Sequence, residues 1–174
     1  MSSDLTPPPR VFHPTSPWAG VLSLVALALV VTAIGAVGLV VEPGDTTSII
    51  VAVVFGLLGA AFLGLAVCLP LMKYTVTRDH LVVTCGPVLR YRIALNDIRR
   101  ITRADLTISL VSSMRMPGVA LFSVRYTDVG LVRMCATRAT RGILLIDTGN
   151  RRYGITPVDV DGLIQAIRDG GPGA

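Results

Sequence analysis

The chain has 174 residues, of which 52% are hydrophobic, and its formal net charge is +5. The mean hydropathy of +0.67 excludes an ordinary soluble domain as the whole of the chain. The charge is uneven, because residues 73–174 carry 15 basic and 8 acidic side chains, while Arg10 is the only basic residue before them.

Residues 1–17 contain five prolines and few apolar side chains. This composition predicts a disordered, Pro-rich leader with an extended backbone. Recognition of the Pro-Pro-Pro-Arg stretch by a peptide-binding protein is the alternative interpretation.

Two charge-free apolar runs follow, at residues 18–41 and 49–72. Each has 24 residues, so a helix of that length exceeds the roughly 30 Å of hydrocarbon in a bilayer. The polar turn at 42–48 is short enough to force the helices antiparallel. Residues 18–72 therefore predict a transmembrane hairpin.

The flanking charges predict the orientation of this hairpin. Arg10 precedes the first run and Lys73 follows the second, while the turn carries two acids and no basic residue. Basic flanks mark the cytoplasmic side, so we expect a multi-pass protein of the inner membrane with both termini cytoplasmic. A cleaved signal peptide is disfavoured because the first run is too long and its leading segment has no net charge.

Small residues recur at four-residue spacing in both runs, which lets helix backbones approach closely. The two stripes are Ala28, Thr32 and Ala36 in the first run and Gly56, Ala60 and Gly64 in the second. Packing within the hairpin is one interpretation and the seam of a homo-oligomer is the other. Neither run contains an ionisable side chain, which argues against a pore or proton path.

After Met72 the apolar pattern changes to the alternation typical of strands, interrupted by turn signals such as Gly86-Pro87 and Gly149-Asn150. About seven short strands predict an antiparallel barrel or sandwich. A helix closes the domain, with Thr156 as its expected N-cap and Pro157 in its first turn. The predicted domain covers residues 73–170, with a tail at 171–174.

Residues 73 to about 169 resemble the bacterial pleckstrin-homology (PH) domains of small membrane proteins. The stretches that carry the resemblance are residues 74–83, 91–101, 116–118, 128–133, 142–149 and 153–159. The resemblance implies an α+β PH-like barrel or sandwich capped by a C-terminal helix, commonly preceded by two transmembrane helices. Lys73 with Arg90-Tyr91-Arg92 is similar to the basic pattern with which eukaryotic PH domains bind phosphoinositides.

Arginine clusters are the main polar feature of the domain, and a solvated face is their alternative interpretation. A domain held at an anionic leaflet gains about 1 kcal/mol from each basic residue near the surface. The side chains expected to contact lipid are Lys73, Arg90, Arg92, Arg99, Arg100 and Arg103.

Catalytic, cofactor and metal sites are not predicted. His13 and His80 have no partner at ligand spacing, and no phosphate-binding glycine loop is present. Nucleic-acid binding is disfavoured because no recognition helix or stacking platform is evident. Cys68, Cys85 and Cys135 show no paired spacing and are expected to be small buried apolar residues.

These observations favour a non-enzymatic, membrane-anchored scaffold or adaptor at the inner leaflet, with the lipid bilayer and an unidentified protein as partners. Its expected contact surface is exposed sheet together with the segment 106–119, where Met114 and Met116 suit an adaptable apolar contact and a small buried cluster is the alternative interpretation. The alternative is an accessory subunit of a membrane transport or secretion complex, in which the hairpin makes the main contact.

Overall fold

The computed structural model describes residues 9–107, 115–116 and 118–170. Its helices are α1 (Trp18–Val41), α2 (Thr46–Cys68) and α3 (Val160–Gly170), with single 3-10 turns at Leu69–Leu71 and Leu95–Asp97. The strands are β1 (Arg10–Phe12), β2 (Met72–Val76), β3 (His80–Cys85), β4 (Leu89–Ala94), β5 (Arg100–Ala104), β6 (Arg115–Met116), β7 (Val119–Tyr126), β8 (Gly130–Ala136), β9 (Ile143–Asp147) and β10 (Arg152–Ile155).

The two apolar runs form long helices, as predicted, and both are long and apolar enough to cross a membrane. In the most apolar 18-residue stretch of each helix, only 17% of the residues of α1 and 11% of those of α2 are buried. The core helix of a soluble protein would be mostly buried, so these helices have the exposure expected of side chains that face lipid.

The boundaries of the second helix differ from the predicted 49–72. The Asp45 carboxylate accepts a hydrogen bond from the Ser48 N–H at 2.9 Å, so α2 begins at Thr46 and the turn shortens. At the other end α2 stops at Cys68 and continues as the 3-10 turn containing Pro70, and Met72 already belongs to β2.

The hairpin packs through a different face of α2 from the predicted one. A Cβ atom at Gly59 would clash with Thr32 and lie 3.3 Å from the Ala28 carbonyl oxygen, so Ala28 and Thr32 do lie at the helix contact. Gly56 and Gly64 have no such neighbour within 4 Å, and Ala36 and Ala60 are exposed. The predicted packing through Ala36, Gly56, Ala60 and Gly64 is therefore wrong for the hairpin.

The ten described strands form two packed sheets. Their orders are β1-β2-β3-β4 and β5-β9-β10-β8-β7-β6, and every neighbouring pair is antiparallel except β10 with β8. Helix α3 buries Leu163, Ala166 and Ile167 against them. The predicted α+β fold with a closing helix is confirmed, as a sandwich rather than a closed barrel.

Helix α3 starts later than predicted because Thr156 has another role. The Thr156 Oγ1 accepts a hydrogen bond from the Thr137 N–H at 3.0 Å, and Pro157 forms a bridge with Pro14. The Asp159 carboxylate instead accepts from the Gly162 N–H at 2.8 Å, which makes Asp159 the capping residue.

The segment before α1 is part of the domain, so the predicted disordered leader is wrong from β1 onward. Strand β1 pairs with β2, Phe12 opposite Tyr74. Beyond it the Thr15 N–H donates to the Thr156 carbonyl oxygen at 2.8 Å, and the Val158 N–H donates to that of His13 at 3.0 Å. Residues 1–8 and the tail at 171–174 lie outside the described residues.

One apolar core runs from the base of the hairpin into the domain. It joins Leu24, Leu69 and Met72 to Tyr74 and Ile155, among others. The backbone at Gly20 also lies directly against Gly118, with no room for a Cβ atom on either residue. The helices and the domain therefore meet in a packed junction without a flexible linker.

The three cysteines are free and buried, as predicted. Burial and the neighbouring Cys68 raise the pKa of the Cys85 thiol to about 11. Burial likewise raises the pKa of the Cys135 thiol far above its usual range. Both thiols are therefore protonated and unreactive near neutral pH.

Replacing Gly59 with valine tests the packing of the hairpin. The added methyl groups would meet the Ala28 backbone, and overpacking of this kind costs about 1–3 kcal/mol. We expect Gly59→Val to lower the thermal stability of the full chain in detergent, measured by loss of helical circular dichroism. Gly64→Val is the matched control, and an equal loss there would contradict this packing.

Candidate membrane-facing site

The domain has two ends, which differ in their distance from the helices. The helix end contains the start of α1, the 3-10 turn Leu69–Leu71 and the β3–β4 turn beside it. The far end contains the start of β3, the turn Leu95–Asp97 and the β9–β10 turn. Strand β3 runs between them, and its six residues span about 17 Å.

Two of the predicted lipid-contacting residues share a row at the helix end. Strand register places Lys73 opposite Thr84 and Thr84 opposite Arg90, and both basic side chains are exposed. This row lies on the outer face of the sheet, because the alternate residues Met72 and Tyr74 are buried. Arg92 lies on the same face, about 7 Å further from the helices along β4.

A groove of about 560 Å³ lies beside this row. Its polar lining comes from His13, Lys73 and Thr84, and its apolar wall comes from Pro70, Leu71, Met72 and Pro87. Leu71 is 55% exposed at the edge of the helix. A cation, an imidazole and a hydroxyl beside an exposed apolar wall match the boundary between a lipid headgroup and its chains.

Sequence reasoning missed His13 and Thr84 as members of this groove. His13 was assigned to a disordered segment, and only the pairing of β1 with β2 brings it to the helix end. Thr84 could have been found from alternation along β3, since it lies on the opposite face from the buried Val83 and Cys85.

The other predicted lipid-contacting residues lie elsewhere. Arg99 and Arg100 are at the far end, where the Arg99 N–H donates to the Asp147 carbonyl oxygen at 2.8 Å. The Arg103 guanidinium pairs with the Asp161 carboxylate beside the start of α3. The six predicted residues therefore do not form one surface, and Lys73 and Arg90 are the two that lie nearest the helices.

The described residues form no metal-binding site. Among them, no cluster of three or more His, Cys, Asp or Glu side chains could hold a metal ion. His13 lies at the helix end, and His80 opens β3 at the far end. Most of the predicted contact segment 106–119, including Met114, falls outside the described residues.

Comparison of the chain with curated proteins and with solved structures gave no match. Comparison with protein families gave a match over residues 72–170, which is more than half of the chain and includes every strand from β2 onward together with α3. The family is described as "Bacterial PH domain", and this chain belongs to it.

Proposed function

We propose that this chain is a non-enzymatic, membrane-anchored PH-like adaptor whose hairpin crosses the inner membrane twice and holds the domain against the inner leaflet. The observation that carries the proposal is the packed junction, in which Leu24, Leu69 and Met72 share one core with the domain. A domain mounted in this way cannot move far from the membrane surface.

The N-terminal strand supports the same-side topology. Strand β1 precedes α1 and pairs with β2, which follows α2, so the chain returns to the side on which it started. A hairpin meets this condition and a single crossing does not. The turn between the helices carries Glu42 and Asp45 and no basic residue, which favours the outside for the turn and the cytoplasm for the domain.

The positive charge at the helix end favours contact with anionic lipid. Lys73 and Arg90 are exposed in one row, and within the described residues neither forms an ion pair. An exposed charge interacts with the leaflet only within about one Debye length, roughly 8 Å at physiological salt, so the basic residues nearest the helices are the best placed for this contact. The exposed outer sheet remains for a protein partner.

Cysteine labelling from the two sides of the membrane tests the topology. The native thiols are a silent background because they are buried, with the pKa of Cys85 at about 11. We expect Val11→Cys and Gln165→Cys to react with an impermeant maleimide only in inverted vesicles, and Glu42→Cys only in right-side-out vesicles. Labelling of positions 11 and 165 from opposite faces would refute the hairpin topology.

The lipid contact is tested in the full chain, because the hairpin base belongs to the domain core. We expect Lys73→Gln with Arg90→Gln to reduce co-purification of anionic over zwitterionic lipid by about fivefold for each charge, the equivalent of about 1 kcal/mol. Quantitative lipid extraction at low and high salt measures this. Arg125→Gln with Arg168→Gln is the charge-matched control, and an equal reduction there would remove the basis for this contact.

The alternative function, an accessory subunit held through its hairpin, has one observation in its favour. Gly56, Ala60 and Gly64 form a small-residue face on α2 that α1 does not cover. Another membrane protein, or a second copy of this chain, could pack there.

Filling this face distinguishes the two functions. Under the adaptor function, we expect Gly56→Leu with Ala60→Leu and Gly64→Leu to leave the proximity-labelled partners of the domain unchanged, because Ala60 is exposed and a Cβ atom at Gly56 or Gly64 would have no neighbour within 4 Å. Ala33→Leu with Ala36→Leu on the exposed face of α1 is the control. Selective loss of partners in the α2 variant would favour the accessory subunit.

A further inference from the structure

A second concave site lies at the far end of the domain, away from the groove beside Lys73. This far-end cleft, of about 470 Å³, lies between the end of β4 and the β9–β10 turn. Arg92, Arg99 and Arg151 line it, together with Asn96, Asn150 and Tyr153. Two segments distant in sequence, 92–99 and 148–153, thus bring three arginines to one small polar cleft.

None of the three cleft arginines forms a salt bridge in the part of the chain that the structure describes. The ion pairs there join Arg10 to Asp169, Arg103 to Asp161 and Arg152 to Asp147. Asp97 is the one acid among the residues that line the cleft, which leaves a formal charge of +2. Like charges facing one cleft repel each other, and a bound anion would remove that repulsion.

The neighbouring carboxylate of Asp147 is engaged by other groups. Its Oδ1 accepts from the Gly149 N–H at 2.7 Å and its Oδ2 accepts from the Arg152 Nε at 3.2 Å. The Gly149 N–H, followed by the hydrogen bond and charge of Arg152 and by the charge of Arg99, keeps the pKa of Asp147 below its usual range. Asp147 therefore organises the turn and does not replace an anion in the cleft.

The backbone holds two of the cleft arginines in place. Gly149 has a φ of +82°, and a Cβ atom there would lie 2.7 Å from Arg99 Cζ, so the guanidinium lies directly on the glycine. The Thr148 N–H and hydroxyl both donate to the Arg151 carbonyl oxygen, at 3.0 and 2.9 Å. The turn therefore positions the Arg99 guanidinium and the Arg151 backbone before any ligand arrives.

We propose that the far-end cleft binds the phosphate group of a soluble ligand. Guanidinium groups match phosphate oxygens in geometry, and the dianionic charge of phosphate balances the +2 charge of the cleft. The soluble source rests on the proposed function, because a domain mounted by its helix end keeps Arg92 about 7 Å, and the turns that complete the cleft up to about 17 Å, further from its own leaflet than the row of Lys73 and Arg90.

Phosphate titration of the full chain in nanodiscs of neutral lipid tests the proposal. We expect inorganic phosphate to bind saturably and raise the melting temperature, whereas chloride at equal ionic strength should not. Arg99→Gln with Arg151→Gln should weaken the affinity for phosphate at least tenfold, and Arg92→Gln alone should weaken it less. Arg125→Gln with Arg168→Gln, outside the cleft, should bind like the parent chain.

Three outcomes would overturn the proposal. The first is that the parent chain does not bind phosphate although its circular dichroism spectrum is that of a folded protein. The second is an equal loss of affinity in the control variant. The third is failure with inorganic phosphate but capture of added anionic vesicles through the same arginines, which would assign the cleft to the surface of a second membrane. Neutral nanodiscs make these results independent of the lipid contact proposed for Lys73 and Arg90.

Discussion

The apolar contact between the base of the hairpin and the sheets is the constraint on which the rest of the structure depends. Leu24 and Leu69 belong to the helices, yet they pack into the same core as Tyr74 and Ile155. Because the core crosses the boundary, the helices set the orientation of both ends of the domain. Removing the helices would expose this part of the core to water, so anchor and domain form one folding unit.

This orientation separates the basic residues of the domain by position. Lys73 and Arg90 are held where the helices emerge, Arg103 is occupied by Asp161, and Arg99 lies at the opposite end. A net charge summed over the domain hides these differences. The useful quantity is the position of each charge along the strands, because salt largely screens interactions between exposed charges that are more than about 8 Å apart.

The sequence predicted the elements well and their contacts less well. Apolar runs and strand alternation depend on local composition, so α1, the sheets and α3 could be recognised from it. The pairing of β1 with β2 is a contact between segments separated by two helices, and a Pro-rich composition concealed it. The α2 packing face was missed because Gly56 and Gly59 carry the same chemical signal and only the rotation of the helix distinguishes them. The far-end cleft likewise depends on a meeting of β4 with the β9–β10 turn that no spacing along the chain reveals.

The pairing of β1 with β2 also has a consequence for biogenesis. Residues 10–12 leave the ribosome long before residues 72–76, so the edge of the first sheet stays incomplete until both helices have been made. In the proposed topology, the strands can meet only after the intervening hairpin has returned the chain to its starting side. Under that topology, closure of the loop couples completion of the sheet to insertion of both helices, and a chain inserted with a single crossing would keep an unpaired β2 edge.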